Sequence, residues 1–155
     1  SWVYAARGRN FLLTVLRHAR EKKALKIVDD QIGAPTWSRL LAEITSHVVT
    51  PFFSPRCRPA VLMAETGGIY HAVSAGSTTW YGFAAKILEI AHGHVALEMP
   101  KLIPIPTSDY PLPAARPRNS CLSNEKLTRT FELAMPSWEE SLTSCLQEMY
   151  GKQVA

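Results

Sequence analysis

The chain has little of what marks the more specialised protein classes. Its 155 residues hold three cysteines, Cys57, Cys121 and Cys145, far apart and without a CxxC pair. That spacing argues against a disulfide framework and a thiolate zinc site, and it suits reduced thiols in a cytoplasmic protein. No apolar run approaches the roughly 18 residues that a membrane-spanning helix needs. Charge of one sign is never concentrated: 17 Lys and Arg stand against 13 Asp and Glu, a formal net charge of +4. So mild a balance argues against a nucleic-acid or membrane-surface partner. Internal repeats and low-complexity segments are also missing.

The absences extend to catalytic motifs. There is no GxGxxG turn and no GxxxxGK phosphate loop. Tyr4, Tyr70, Tyr81, Tyr110 and Tyr150 are followed four positions later by Gly8, Ser74, Ala85, Ala114 and Val154, never by lysine. The chain therefore offers neither a dinucleotide cradle nor a Tyr-Lys proton-transfer pair. His47, His71, His92 and His94 invite a metal reading, but His92-x-His94 falls in a turn and a site needs three or four ligands in set geometry, so no metal is assigned to them. No Ser-His-Asp or Cys-His arrangement can be defended either.

What is present is a globular composition, 46% hydrophobic and 19% charged, enough to bury a core. Residues 2–4 read as a short strand, and Asn10 as the cap of a helix with Phe11, Leu12, Val15, Leu16 and Ala19 on its apolar face. Residues 25–28 read as a second strand. Pro35 suits the first turn of the next helix, whose stripe is Leu40, Leu41, Ile44 and Val48. Residues 50–66, broken by Pro51, Pro55 and Pro59 and carrying Arg56 and Arg58, read as a connector. Residues 69–73 read as a strand, and Ser77 or Thr78 as the cap of a helix through Trp80, Phe83, Ala84, Ile87, Leu88 and Ala91. The six prolines between 100 and 120 predict extended loop or edge strand. Asn124 is placed to cap a short helix over 125–131, and Ser137 a last helix with Trp138, Leu142, Cys145, Leu146 and Met149 inward. Alternating strands and helices make the class α/β. With so few strands, the chain is expected to be marginally stable by itself, to expose apolar surface and to associate. It opens at Ser1 in what reads as mid-strand, which suggests a piece of something longer.

Two stretches carry candidate chemistry. Residues 28–36, Val-Asp-Asp-Gln-Ile-Gly-Ala-Pro-Thr, read as a strand end, a polar turn and a helix start. Ligands of open α/β sheets bind beyond such strand ends. Gln31 brings an amide, Gly33 allows close backbone approach, and the amides near residues 35–38 are placed to meet a phosphate. The other reading is a plain capped loop with Asp29 and Asp30 as turn residues. Downstream, Arg116 and Arg118 flank Pro117. Arginine forms two parallel bonds to phosphate oxygens, and a stiff loop loses less entropy in doing so. Asn119 and Ser120 add neutral donors and acceptors; the alternative is a solvated basic turn. Trp2, at the tip of the first strand, can stack on a sugar ring or a base, or be a strand-edge packing residue. Trp80 is read as packing, with no further role. Together these stretches suggest a sugar-nucleotide site.

Six segments in register carry a resemblance over nearly the whole chain. They are Ser1-Trp2-Val3-Tyr4, Gly8-Arg9-Asn10-Phe11, Asp30-Gln31-Ile32-Gly33-Ala34-Pro35-Thr36, Gly68-Ile69-Tyr70-His71, Thr78-Thr79-Trp80-Tyr81 and Pro113-Ala114-Ala115-Arg116-Pro117-Arg118-Asn119-Ser120. The chain resembles the C-terminal, substrate-binding half of the dTDP-4-dehydrorhamnose reductase family, within the extended short-chain dehydrogenase/reductase superfamily.

The resemblance implies a Rossmann-like fold of which residues 1–155 form the C-terminal part. It also implies reduction of the C4 ketone of dTDP-4-dehydro-L-rhamnose by NADPH in dTDP-L-rhamnose synthesis. The family's cofactor fingerprint and catalytic Thr, Tyr and Lys lie in an N-terminal half that this sequence does not contain, so NADPH would be bound mainly there and this chain alone is expected to be inactive. Substrate-binding positions fall on Trp2, Gln31 and Arg116, to which the loop reading adds Asn119. Some members bind Mg²⁺ between two subunits through glutamates. Glu148 matches one of these, but Arg39 stands at another, a charge reversal that argues against a metal-bridged dimer; a homodimer of the full-length protein is otherwise implied. Two alternatives remain, a non-catalytic regulatory subunit and a reductase or epimerase for another sugar nucleotide. Retention of Trp2, Gln31 and Arg116 favours a working pocket.

Overall fold

The computed structural model describes residues 1–55, 58–95, 99–111 and 113–151; Arg56 and Cys57 lie outside them. Six helices and six short strands are interspersed along the described residues. Strand β1 is Val3–Tyr4, followed by helix α1, Phe11–Glu21. Strands β2 (Ala24–Val28), β3 (Ile32–Gly33) and β4 (Thr36–Trp37) lead to helix α2, Ser38–Val49. After a 3₁₀ turn at Thr50–Phe53 comes α3, Pro59–Thr66. Strand β5 (Thr78–Thr79) runs directly into α4, Trp80–His92. Strand β6 (Lys101–Ile105) and helices α5 (Glu125–Phe131) and α6 (Trp138–Gly151) complete the fold.

The strands form three two-stranded sheets rather than one. β2 and β6 pair in parallel from Ala24 opposite Lys101 to Val28 opposite Ile105. β1 pairs in parallel with β4, and β3 antiparallel with β5. The core lies between α1, α4 and α6. Phe83, Ala84, Ile87, Leu88 and Ala91 of α4 are fully buried, facing Leu12 and Val15 of α1 and Leu142, Cys145 and Leu146 of α6. This is the α/β class expected, and the apolar stripes of all three helices fall on their predicted faces. Burial pushes the Cys145 thiol up to about 12, with the nearby Glu148 charge adding to it, so this cysteine is a packing residue.

Helix starts follow the capping logic in part. Asn10 accepts from the Leu13 amide at 3.2 Å. Ser137 accepts from the Glu140 amide at 3.1 Å, while the Glu140 carboxylate accepts from the Ser137 amide at 2.8 Å. The Ser137 amide first, and then the Ser137 hydroxyl at 2.9 Å, donate to the Glu140 carboxylate and hold it below its ordinary range.

Four local expectations are corrected and one is met. Pro35 does not open a helix: Thr36 and Trp37 are taken as β4 by pairing with β1, and α2 starts at Ser38. The 50–66 connector contains α3, because Pro59 sits at a first helical position, where its missing N–H costs nothing. The cap of α4 is Thr79, one residue beyond the predicted pair. The proline-rich 100–120 stretch holds to its expectation: β6 is an edge strand that accommodates Pro104 in a two-stranded sheet. Residues 69–73 form no strand.

The last correction and the short helix share one cause. Asn124 holds the N-terminal flank of α5, yet its side chain does not cap that helix. Its Oδ1 accepts from the Val73 amide at 3.0 Å and its Nδ2 donates to the Val73 carbonyl at 2.7 Å. A side-chain amide thus takes the part of a neighbouring strand. Val73 is 2% exposed, so water cannot replace these bonds. Asn124→Ala should cost about 1–3 kcal/mol, the penalty for orphaning buried backbone groups, measured by urea unfolding. A midpoint equal to that of the parent chain would show the pairing to be unimportant.

Candidate functional site

The site is built around β3. Topology brings a segment to each edge of this two-residue strand. Along one edge, the Ile32 amide donates to the Arg118 carbonyl at 2.8 Å, and the Ser120 amide donates to the Ile32 carbonyl at 2.8 Å. Asn119, between them, accepts from the Cys121 amide at 2.9 Å, which turns the loop. Along the other edge, Ile32 pairs with Thr79 and Gly33 with Thr78. Because α4 follows β5 without a gap, its first residue, Trp80, is delivered beside β3.

Gln31 is buried, with 8% of its surface exposed, and both ends of its amide are engaged. Trp80 Nε1 donates to Gln31 Oε1 at 3.2 Å, and Gln31 Nε2 donates to Thr107 Oγ1 at 3.0 Å. Thr107 in turn donates its hydroxyl and, at 2.9 Å, its amide to Asp30 Oδ1. The Thr107 hydroxyl first, then its amide and the Arg118 charge, hold the Asp30 carboxyl below its usual range. Asp29, beside it, accepts from the Thr79 hydroxyl, which itself accepts from the Gly82 amide as the cap of α4.

Trp2 lies directly across this arrangement. Its indole stacks on that of Trp80 with centroids 3.6 Å apart and planes 9° from parallel. It also packs against Gly33, where a Cβ would fall 2.4 Å from Trp2 Cε2. Trp2 has φ +47°, and its carbonyl accepts from the Thr36 amide at 3.2 Å. Phe11 backs Trp80 from α1, centroids 4.7 Å apart.

The structure therefore brings Trp2, Gln31 and the Asn119 loop together on β3. Arg116 stands exposed on that loop, two residues before the part that pairs with β3, and no hydrogen bond or ion pair ties it to the others among the described residues. The segment 34–37 is not an open phosphate cradle. Ala34, Thr36 and Trp37 are buried, and the Thr36 amide is spent on Trp2. Trp80, Thr107 and Asp30 are the site residues that sequence reasoning missed. For Trp80 a signal existed: it follows a strand end and a capping threonine, the same strand-to-helix position that singled out Gln31.

A family model described as the RmlD substrate binding domain matches residues 1–151. The chain belongs to the RmlD substrate-binding domain family. A dTDP-4-dehydrorhamnose reductase of Burkholderia thailandensis is 44% identical to the domain over 155 residues, covering 98% of this chain and 51% of that protein. The dTDP-4-dehydrorhamnose reductase of Salmonella typhimurium is 42% identical, covering 97% and 48%. A crystal structure of dTDP-4-dehydrorhamnose reductase from Bacillus anthracis in complex with NADP superposes with a TM-score of 0.79 at 31% identity, over 96% of this chain and 46% of that one. The domain thus spans about half the length of the relatives it matches. No helix among the described residues is long and apolar enough to cross a membrane.

The implied Mg²⁺ does not fit this domain. Arg39 Nη1 lies 3.0 Å from Glu148 Oε2, and Arg39 Nε lies 3.0 Å from Glu43 Oε1. A guanidinium thus stands between the carboxylates where a metal-bridged arrangement needs a cation. No group of three potential ligands gathers among the described residues. The domain should leave the electron paramagnetic resonance signal of free Mn²⁺ unchanged. A fall in that signal that Glu148→Gln abolishes would reverse this conclusion.

Proposed function

We propose that residues 1–155 form the C-terminal, substrate-binding part of a dTDP-4-dehydrorhamnose reductase. That enzyme reduces the C4 ketone of dTDP-4-dehydro-L-rhamnose with NADPH in dTDP-L-rhamnose biosynthesis. The observation that carries the reading is the convergence of Trp2, Gln31 and the 116–120 loop on β3, in a chain of the RmlD substrate-binding domain family. NADPH supplies the hydride and is held by the N-terminal half of the whole enzyme; the sequence here has no glycine-rich cradle for it. This half binds and orients. The Arg116 guanidinium offers parallel donors to the diphosphate, Asn119 offers an amide, and the Trp2 indole walls the pocket. Gln31 supports that wall from beneath. Holding the sugar nucleotide in one pose places its ketone within reach of hydride. The whole enzyme is cytoplasmic in this reading, acts on a dTDP-sugar rather than on nucleic acid or membrane, and forms a homodimer that needs no bridging metal.

An affinity series on this chain tests the reading. dTDP should bind more tightly than UDP or GDP by calorimetry, and Arg116→Ala should weaken dTDP about tenfold, the loss of one bidentate charged contact. Equal affinity for the three nucleotides would count against it. Mixed with the ketosugar and NADPH, the chain alone should oxidise no NADPH, and measurable oxidation would refute the division of labour.

A further inference from the structure

We propose that Trp80 and Thr107 are positioning residues which, through Gln31 and Asp30, fix the Trp2 indole in the orientation that forms the ligand-facing wall. The proposal deepens the reading above and rests on it for the identity of the ligand.

The hydrogen bonds between these residues run in one direction. An indole N–H can only donate, so the Gln31 amide must turn its oxygen toward Trp80. Its nitrogen then faces Thr107, whose oxygen must accept. The one hydroxyl proton of Thr107 is left for Asp30, an ionised acceptor that also takes the Thr107 amide. Reversing any member sets two donors or two acceptors face to face. The Trp80 ring therefore has its edge fixed by Gln31 and one side backed by Phe11. It is a rigid plate, and Trp2 lies flat on it.

Trp2 needs such a plate. A positive φ in a bulky residue persists only where its surroundings enforce it. Relaxation is opposed by the bond from the Thr36 amide to the Trp2 carbonyl and by the stack on Trp80. Backbone strain at a ligand wall, held by a buried polar chain, is the signature of pre-organisation. Thr107 reaches Trp2 only through this chain, so it acts at a distance rather than by touching ligand.

The test compares Thr107→Val, which keeps shape and loses the hydroxyl, with Thr107→Ser, which restores it. Two readouts are taken on the 155-residue chain: the exciton couplet of the stacked indoles in far-ultraviolet circular dichroism, and the affinity for dTDP. Trp80→Phe, expected to abolish the couplet, assigns the signal to this pair. Thr107→Val should diminish the couplet and weaken dTDP about fivefold, as for one lost buried hydrogen bond, and Thr107→Ser should restore both. An unaltered couplet in Thr107→Val overturns the proposal. A diminished couplet with unchanged dTDP affinity overturns its claim on the ligand. Failure of the unsubstituted chain to bind dTDP would sink the proposed function, while the couplet would still decide whether Thr107 orients the indoles.

Discussion

Phe83→Ala should remove about 3–5 kcal/mol of stability, the range for truncating a fully buried aromatic. Phe83 is 0% exposed and its ring is the hinge of the core. Its centroid lies 5.2 Å from that of Tyr4 on β1, 5.7 Å from Phe11 on α1 and 6.0 Å, edge-on, from Trp138 on α6. Alanine would leave a cavity where β1, α1 and α6 meet α4, and it would also end the aromatic pairs, each worth roughly 0.5–1.5 kcal/mol beyond burial. Domains of ordinary stability have only about 5–15 kcal/mol in hand. The three sheets here have two strands each, so little outside the helix core can compensate. The melting temperature should fall by about 6–20 °C, and Phe83→Leu, which keeps most of the volume, should fall by much less. A melting temperature for Phe83→Ala within a degree or two of the parent would show that the α1, α4 and α6 packing is not what holds the chain together.

The core was the most legible part because it obeys short-range periodicity. Leu12, Val15, Leu16 and Ala19 on α1, and Phe83 to Ala91 on α4, repeat at helical spacing and need no knowledge of the rest of the fold. Asn10 and Ser137 were legible as caps for the same reason: donor and acceptor lie within three residues. What failed was decided by partners far away in sequence. Thr36 and Trp37 are a strand only because β1, more than thirty residues earlier, lies alongside. Residues 69–73 have strand chemistry, but Asn124, 51 positions downstream, takes both polar groups of Val73. The candidate site divides in the same way. Gln31, Gly33 and the 116–120 loop were visible from local pattern. Thr107 was not, because its role exists only through a contact with Gln31 across 76 positions; for Trp80 the strand-to-helix position was visible, but its partner Gln31, 49 positions away, was not.

Gly33→Ala should weaken dTDP binding by about tenfold or more while lowering the melting temperature by only a few degrees. The backbone at Gly33 is not left-handed, so the new methyl group meets no left-handed penalty; the three nearest atoms it meets all belong to Trp2. A Cβ would fall 2.4 Å from Cε2, 2.7 Å from Nε1 and 2.8 Å from Cδ2 of the indole. Something must move, and there are two choices. Retreat of β3 would sacrifice the two backbone bonds to the 118–120 loop and the pairing with β5, about four bonds at roughly 1 kcal/mol net each. Expulsion of the half-buried indole costs about 1.5–3 kcal/mol of lost burial and relieves the strain of its positive φ. The ring is the cheaper element to displace, so β3 stays and Trp2 leaves its stack. Stability then changes little, since α1, α4 and α6 are untouched, whereas the proposed ligand wall is lost. Calorimetry with dTDP and thermal unfolding on the same preparation separate the two choices. Intact dTDP affinity with a large fall in melting temperature would mean that β3 gives way first and that the Trp2 indole is no part of the surface that meets the nucleotide.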